Sequence, residues 1–357
     1  MRIFKLKFFT LFVIILSLMT ANTGCGKSED KADNTSSNSS NTALEKEKND
    51  KKPSSNGDDE SDFDVIKLPS SANPLGVDTI AVAEELGFFK EQKIKIERVG
   101  IIPWAQLIPS LISGKLDFAG GHINRVAAAV AAGAKVKAVA ANTLTTKEKP
   151  HMTFVVKEES PIKTPNDILG KKVAIMAYGG CNEYTPYEYL KKNGLSDPKG
   201  TFEIVTVPAG KEEETLRKGD VEIAGTHDDP ANLLGRGGVR ILFTDYDIWG
   251  DVGGQAPYFA AESYIQENPD LVKRFVTVIG KVNKWVNENQ QQAIEINAKR
   301  YNVDAEKVRV NYYVSDAVIK EDTVKLWIDI LNGYKDLKSQ ISPSDIYTNE
   351  FNPNYKS

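Results

Sequence analysis

Two histidines stand at matching places in two similar stretches of the sequence. In KLDFAGGHIN the histidine is His122, and in DVEIAGTHDD it is His227. Each stretch begins as a predicted strand and ends in a loop, and the chain contains three histidines in all. An imidazole can exchange a proton near neutral pH, form hydrogen bonds or bind a metal ion. We therefore predict that both side chains contact one small ligand.

A third loop, YGGCNEY, combines a thiol with a carboxylate. It contains Cys181 and Glu183, and it follows the predicted strand at residues 172–178. Thiols and imidazoles bind soft or borderline metal ions, so a metal or metal-chelate site at His122, His227 and Cys181 is an alternative interpretation. No close ligand spacing supports it, and we predict neither a bound metal nor a cofactor. A catalytic pair of cysteine and histidine is a further alternative, although no orienting partner is recognisable.

Other candidate contacts lie in loops that follow predicted strands. Asp229 precedes Pro230 and is expected to cap the next helix, which leaves Asp228 free to face a ligand. Asn73 follows the first strand, and Trp104 follows the second, where its ring can stack on a planar ligand or pack in the core. The predicted ligand-binding residues are Asn73, Trp104, His122, Gly180, Cys181, Asn182, Glu183, His227 and Asp228.

Strands and helices alternate along the chain from residue 63 onwards. Short β-branched runs are followed by amphipathic segments, which is typical of βαβ units and of a largely parallel sheet. The same order recurs in the second half, where TPYEYLKKNG is predicted as a helix with Thr185 as its N-cap, Pro186 at its first position and Glu188 closing a capping box. The two histidine-containing stretches hold equivalent places in this order. Since ligands bind at the carboxyl ends of strands in such sheets, we predict two similar lobes facing one cleft.

The first 62 residues differ in composition from the rest. Basic residues precede an apolar run at residues 8–19 that is too short to span a bilayer, which is typical of a secretory signal peptide. Cys25 follows NTG, as in a lipoprotein processing site, although Asn22 stands where such sites usually have an aliphatic residue. We predict a signal peptide at residues 1–24, a lipid on Cys25 and a disordered polar tether over residues 25–62. The lipid would anchor the protein at the extracytoplasmic face of the cell membrane.

Length and charge exclude several classes of function. A chain of 357 residues is long enough for two lobes of ordinary size. Its net charge of −4 provides no basic field, so we predict no binding to nucleic acid. Once Cys25 carries a lipid, Cys181 is the remaining cysteine, and no disulfide can form within the chain. The fold must then depend on its apolar core.

Four motifs resemble one family of transport proteins. In chain order they are AVAEELGFFKEQKIKIERV, LISGKLDFAGG, LGKKVAIMAYGG and ENPDLVKRFVTVIGKVNKWVNEN. They resemble the extracytoplasmic solute-binding proteins of ABC importers for sulfonates, taurine, nitrate and thiamine-pyrimidine precursors. The resemblance implies an α/β, two-lobed periplasmic-binding-protein fold of the second type, in which each lobe is a largely parallel sheet flanked by helices.

The resemblance also implies a mechanism and a domain organisation. The lobes would close about a hinge around a small molecule, and a monomer would deliver it to a permease and its ATPase. We predict a first lobe from residues 63–147, a second from 148–248, and a return to the first lobe with C-terminal helices over 249–357. An enzyme on the same fold is an alternative that we do not favour. The enzymes of this fold that make the thiamine pyrimidine have a cysteine-rich motif, which a single cysteine here does not match.

The charge of the cleft bears on the class of ligand. Sulfonate and nitrate binders of this family often have a Gly-Ser-Thr turn where this chain has YGGCNEY, with Glu183 near the expected anion. Arg125 is the one basic residue in the three loops, and the helix after His122 is expected to turn it away from the cleft. We therefore predict a neutral or cationic heteroaromatic or amine ligand, such as a pyrimidine, bonded to Glu183 or Asp228 and stacked on Trp104. A sulfonate, taurine or nitrate is the alternative.

Overall fold

The structure, a computed structural model, describes residues 62–356. The predicted signal peptide, the predicted lipidation at Cys25 and the predicted tether, apart from Asp62, lie outside the described residues. The described residues belong to one compact unit. Within them, no helix combines the length and the apolar character that a membrane crossing needs.

Two groups of elements alternate between strand and helix before the chain returns to the first group. The first group is β1 (Asp64–Leu68), α1 (Thr79–Glu85), α2 (Phe88–Glu91), β2 (Ile94–Arg98), α3 (Trp104–Ile112), β3 (Ala119–Gly120), α4 (Ile123–Ala131) and β4 (Val136–Leu144). The second group is β5 (Thr153–Lys157), β6 (Lys172–Ile175), α5 (Cys181–Lys192), β7 (Glu203–Thr206), α6 (Glu212–Lys218), β8 (Ile223–Thr226), α7 (Pro230–Gly235), β9 (Val239–Thr244) and α8 (Asp245–Trp249). The last elements are β10 (Ala256–Ala261), α9 (Glu262–Glu267), α10 (Pro269–Glu288), α11 (Gln290–Tyr301), β11 (Tyr312–Tyr313), α12 (Glu321–Gly333) and α13 (Pro343–Ile346).

The sheets define two lobes. In the first lobe β1 pairs with β2, and a four-stranded sheet has the order β11-β4-β10-β3. In the second lobe five strands have the order β7-β6-β8-β5-β9. Since β10 lies between β3 and β4, the chain returns to the first lobe after completing the second.

The three sheets differ in strand direction: β1 and β2 are parallel, the four-stranded sheet is antiparallel at every pairing, and the five-stranded sheet is mixed. The predicted α/β class holds, but fewer strand pairs are parallel than expected. In the second lobe β6 pairs in parallel with β7 and β8, whereas β5 is antiparallel to β8 and β9. In the first lobe β10 is antiparallel to both β3 and β4. The physical reason is the direction in which the chain enters the sheet of the second lobe. Thr153, at the start of β5, pairs with Thr226 at the end of β8, so a strand that arrives from the other lobe begins where the parallel strands end.

The long helix α10 supplies much of the core of the first lobe. Its buried residues recur at spacings of three and four and include Val272, Phe275, Ile279 and Val282, each at most 1% exposed. This spacing places them on one face of a helix, where each stabilises the fold by about 1.5–3 kcal/mol through burial. The helix packs on β4 and on α1, and it thereby supports the elements that carry the cleft loops.

The start of α5 differs from the prediction. The helix begins at Cys181 with Gly180 as its N-cap, whereas capping by Thr185 was expected. The Thr185 hydroxyl instead donates a hydrogen bond of 2.6 Å to the Cys181 carbonyl, and Pro186 lies inside the helix. Threonine can satisfy its hydroxyl on the preceding turn of a helix, and burial of this whole turn outweighs the local capping signal.

Candidate functional site

All three histidines of the chain meet at Cys181. The rings of His122 and His151 have centroids 5.2 Å apart, and those of His151 and His227 are 4.8 Å apart. The Cys181 sulfur lies 3.5 Å from Nε2 of His151 and 3.4 Å from Nε2 of His227. We call these four residues the His–Cys cluster. The structure therefore brings together three of the predicted site residues and adds His151, which sequence reasoning missed.

Each member of the His–Cys cluster comes from a different element. His122 is the N-cap of α4, and its Nδ1 lies 3.1 Å from the Asn124 Oδ1 and 3.5 Å from the Asn124 backbone nitrogen. Cys181 opens α5, and His227 follows the end of β8. His151 lies in the segment that crosses from β4 to β5. The low histidine count was the one signal in the sequence that could have drawn attention to His151, because no repeat or motif surrounds it.

Burial controls the ionisation of this cluster. It lowers the pKa of His122 and of His227 well below the usual range, and it lowers the pKa of His151 to about 3. All three imidazoles are therefore neutral at neutral pH. Burial also raises the pKa of the Cys181 thiol to about 12. A protonated thiol is a poor nucleophile, so these pKa values do not favour the catalytic Cys–His alternative.

Asp245 ties the two chain crossings together beside the cluster. Its carboxylate accepts hydrogen bonds from the Thr145 hydroxyl and, at 3.1 Å, from the Met152 backbone N–H. The Thr145 hydroxyl oxygen also accepts from the His151 backbone N–H at 3.0 Å. Asp245 is 1% exposed, and burial raises its pKa to about 6. This network holds the backbone of His151 in place.

A cavity of about 320 Å³ opens in the first lobe and contains both Asn73 and Trp104 in its wall. Asn142, Thr143 and Arg309 also line it. Among the described residues, the Asn142 Oδ1, the Thr143 Oγ1 and the Arg309 Nε are buried without a hydrogen-bond partner. Trp104 is 42% exposed, so part of its ring is open to a ligand. The wall thus offers an aromatic surface together with unused donors and acceptors.

Arg125 reaches across the cleft, and the expectation that helix α4 turns it away is wrong. Its guanidinium donates a hydrogen bond of 3.3 Å to the Tyr178 carbonyl of the second lobe and lies 5.9 Å from the centre of the Trp104 ring. Helical side chains tilt toward the N-terminus, and arginine is long enough to extend past the first turn. A Cβ at Gly180 would lie 2.8 Å from this guanidinium, so a side chain there would displace the arginine.

The predicted carboxylate contacts have partners within the protein. Glu183 accepts a hydrogen bond of 2.5 Å from the Gly179 backbone N–H, and burial raises its pKa. Asp228 forms an ion pair of 2.5 Å with Arg236. Asp229 accepts from the Ala231 backbone N–H at 2.7 Å, which confirms its predicted role as the N-cap of α7. Asn182 is buried, and its Nδ2 has no partner among the described residues.

Arg309 lines the cavity and acts electrostatically on the His–Cys cluster. Its positive charge is one cause of the lowered pKa of His151 and of His227. Burial lowers the pKa of Arg309, while the acidic residues of the second lobe, Asp228 foremost, act in the opposite direction. The charge of one residue in the cavity wall is therefore felt by groups of both lobes.

Comparisons with known proteins identify the fold and the family. The family model described as NMT1/THI5 like matches residues 77–293. A Brucella abortus protein that is named as a binding protein is 22% identical over 300 residues, which cover 80% of this chain and 91% of that protein.

Two solved structures are similar over most of the chain. The periplasmic aliphatic sulphonate binding protein SsuA from Escherichia coli has a TM-score of 0.64 and 19% identity, covering 80% of this chain and 98% of its own. The periplasmic nitrate-binding protein NrtA from Synechocystis PCC 6803 has a TM-score of 0.65 and 14% identity, covering 81% and 87%. At these identities the likeness shows the fold, and it confirms the predicted periplasmic-binding-protein class. Because the NMT1/THI5-like family model matches more than half of the sequence, the chain belongs to that family.

Proposed function

We propose that this protein is the solute-binding component of an ABC importer and that its ligand is a small neutral or cationic heteroaromatic molecule or amine, such as a pyrimidine. The ligand would lie in the cavity beside Trp104 and be delivered to a permease and its ATPase. The observation that carries the proposal is the cavity itself. Its volume of about 320 Å³ suits a single-ring molecule, and its wall combines an exposed indole with buried polar atoms that lack partners.

The helix N-termini of the cleft support a ligand without negative charge. Anions bind where backbone N–H groups at a helix start are free. At α1 the Asp78 carboxylate already accepts from the N–H groups of Ile80 and Ala81 at 3.0 and 3.3 Å. At α5 the Glu183 carboxylate accepts from Gly179. At α1 the chain's own carboxylate thus takes the place that an anion would use, and at α5 a carboxylate accepts from the residue just before the N-cap.

Glu183 does not line the cavity, so it would contact a ligand that extends from the cavity toward the second lobe. Its hydrogen bond to Gly179 uses one oxygen, Oε2, which leaves Oε1 for a ring N–H or an amino group. Asp228 would contact a ligand only by sharing oxygens that bind Arg236 and the Asp229 N–H. Of the two predicted carboxylate contacts, we therefore favour Glu183.

A sulfonate or nitrate ligand is the second candidate, and two guanidinium groups favour it. Arg309 makes no ion pair with any described residue, and Arg125 lies at the rim beside Trp104. The names of SsuA and NrtA, which share the fold, refer to such anions. An anion would need Arg309 as its main partner, whereas a neutral ring would depend on Trp104 and Thr143.

Calorimetry with a panel of ligands separates the two candidates. Aminopyrimidines and related bases should bind, and taurine, alkanesulfonates and nitrate should not. Trp104→Ala should weaken the binding of a ring at least about threefold, because stacking contributes about 0.5–1.5 kcal/mol beyond burial. Thr143→Val should cost about 0.5–1.5 kcal/mol through loss of one hydrogen bond. Ile112→Ala, on the exposed face of the same helix as Trp104, is the matched control and should leave affinity unchanged.

An anionic ligand would respond differently to these substitutions. Tight binding of a sulfonate or nitrate that is insensitive to Trp104→Ala and abolished by Arg309→Met would reject the neutral-ligand proposal and establish the anion class. Binding of none of these compounds by folded protein would reject both.

We also propose that the protein acts as a monomer held at the extracytoplasmic face of the membrane by a lipid on Cys25. Support for this comes from the sequence pattern around Cys25 and from the family. Mass spectrometry of the N-terminal peptide from membranes should show a lipid-modified cysteine at its first position. A mature protein that begins elsewhere, with an unmodified Cys25 retained or removed, would contradict this.

A further inference from the structure

The His–Cys cluster is not needed by the proposed binding of a ring in the cavity, and its composition calls for its own explanation. It contains every histidine of the chain and the one cysteine among the described residues. Three of its members, His122, His151 and Cys181, place one donor atom each within 4.8 Å of the others. Imidazole nitrogen and thiolate sulfur are the donors that Zn²⁺ and softer transition-metal ions prefer.

Two distances within the cluster match those between ligands of a tetrahedral metal site. With Zn–N near 2.05 Å and Zn–S near 2.3 Å, adjacent nitrogen and sulfur ligands of a tetrahedron lie about 3.5 Å apart. The Cys181 sulfur is 3.5 Å from Nε2 of His151 and 3.4 Å from Nε2 of His227. These two sulfur–nitrogen separations already match those between ligands of such a site.

His122 supplies an independent sign of a missing partner. Its side chain is 6% exposed, and its Nε2 is buried with no hydrogen-bond partner among the described residues. The other ring nitrogen, Nδ1, lies 3.1 Å from the Asn124 Oδ1, an arrangement that orients the ring as outer partners of metal ligands do. A buried polar atom without a partner is costly unless something binds it.

We propose that the His–Cys cluster binds one Zn²⁺ or a similar borderline or soft transition-metal ion through His122, His151 and Cys181, with His227 as the fourth ligand. Coordination replaces the thiol proton of Cys181, which is released to solvent as the sulfur–metal bond forms. None of the four residues is among those that line the solute cavity. Its ligands come from α4 in the first lobe, from the crossing before β5, and from α5 and β8 in the second lobe. The metal would therefore link the two lobes beside the chain crossings.

The test uses the full chain with Cys25→Ser, purified without a polyhistidine tag and freed of metal by a chelator. Zn²⁺ titrated by calorimetry should bind at one equivalent, and Co²⁺ should produce the thiolate-to-metal charge-transfer absorption. Since loss of an outer partner already costs 10–100-fold in metal affinity, Cys181→Ser and His151→Ala should each cost more than about 100-fold. Cys181→Ser should also abolish the charge-transfer band.

Controls make the outcome decisive. Asp270→Asn removes a carboxylate that is 80% exposed on α10, and it should leave Zn²⁺ affinity unchanged. Circular dichroism of each metal-free variant establishes that it folds. Failure of the wild-type chain to bind Zn²⁺ at one equivalent, or a Co²⁺ spectrum without a thiolate band, would overturn the proposal without reference to any variant. If the folded Cys181→Ser and His151→Ala variants bind Zn²⁺ with the affinity of the wild type, the proposal is also overturned. Because the solute panel can be measured with a chelator present, the metal proposal and the solute proposal can fail separately.

Discussion

At the scale of single residues, burial determines the charge of the groups in the cleft. The three imidazoles are neutral and the thiol is protonated, because a charged group loses more hydration than its neighbours restore. Arg125 donates to the Tyr178 carbonyl, and Glu183 and Asp228 have partners of their own. The cleft therefore combines uncharged imidazole and thiol groups with charged side chains that are held by the protein itself.

Asp245 leads to a prediction about pH. Its folded-state pKa of about 6 exceeds the usual value of 3.8, so the folded protein binds a proton between these values that the unfolded chain does not. Its favourable contribution is fully present below about pH 3.8 and is lost as pH rises through 6. The shift corresponds to up to about 3 kcal/mol.

Asp245→Asn removes this ionisation, so the wild-type chain should lose stability relative to the variant as pH rises from 4 to 7. Urea denaturation of both proteins at several pH values measures the difference. A difference in the free energy of unfolding that stays constant over this range would contradict the elevated pKa.

At the scale of elements, the two crossings between the lobes pack in direct contact. Gly254, just before β10, has φ of +66°, and a Cβ there would lie 2.4 Å from the Thr145 Oγ1 and 2.9 Å from the Thr145 backbone N. The segment before β5 and the segment before β10 can therefore approach closely only with glycine at this position.

Gly254→Ala should destabilise the protein by about 3 kcal/mol or more, since it combines an unfavourable backbone conformation with a clash against backbone. Gly235→Ala is the matched control, because it lies at the end of α7 with no heavy atom within 4 Å of its Cβ position and no positive φ. This variant should be neutral or stabilising by up to about 1 kcal/mol. Thermal and urea denaturation compare the two, and equal effects would contradict the tight crossing.

At the scale of the whole molecule, hydrogen bonds join the lobes across the cleft. The Asn124 Nδ2 donates to the Gly179 carbonyl at 3.0 Å, and Arg125 donates to the Tyr178 carbonyl at 3.3 Å. Both donors lie in the first turn of α4, and both acceptors precede α5. Such contacts belong to the closed arrangement of a hinged two-lobed protein.

The double variant Asn124→Ala with Arg125→Ala should shift the population toward open molecules. Small-angle scattering should then give a larger radius of gyration than for the wild type. A compound from the calorimetric panel that binds the wild type should make that protein more compact, and it should bind the variant more weakly because less of the variant is closed. Identical scattering curves with and without saturating compound would contradict hinge closure.

Local pattern was enough to predict much of this molecule. The alternation of strands and helices and the repeated stretch that places His122 and His227 after strands both reflect periodicities of a few residues, which sequence displays directly. The cap at Asp229 is equally local.

The predictions that were wrong or incomplete share one cause, which is contact between segments far apart in the chain. Four features depend on how the two crossings bring the lobes together. They are the antiparallel strands β5 and β10, the start of α5 at Cys181, the reach of Arg125 across the cleft and the place of His151. Neighbouring residues in the sequence carry no trace of such contacts, so only the tertiary structure could gather three histidines around one cysteine.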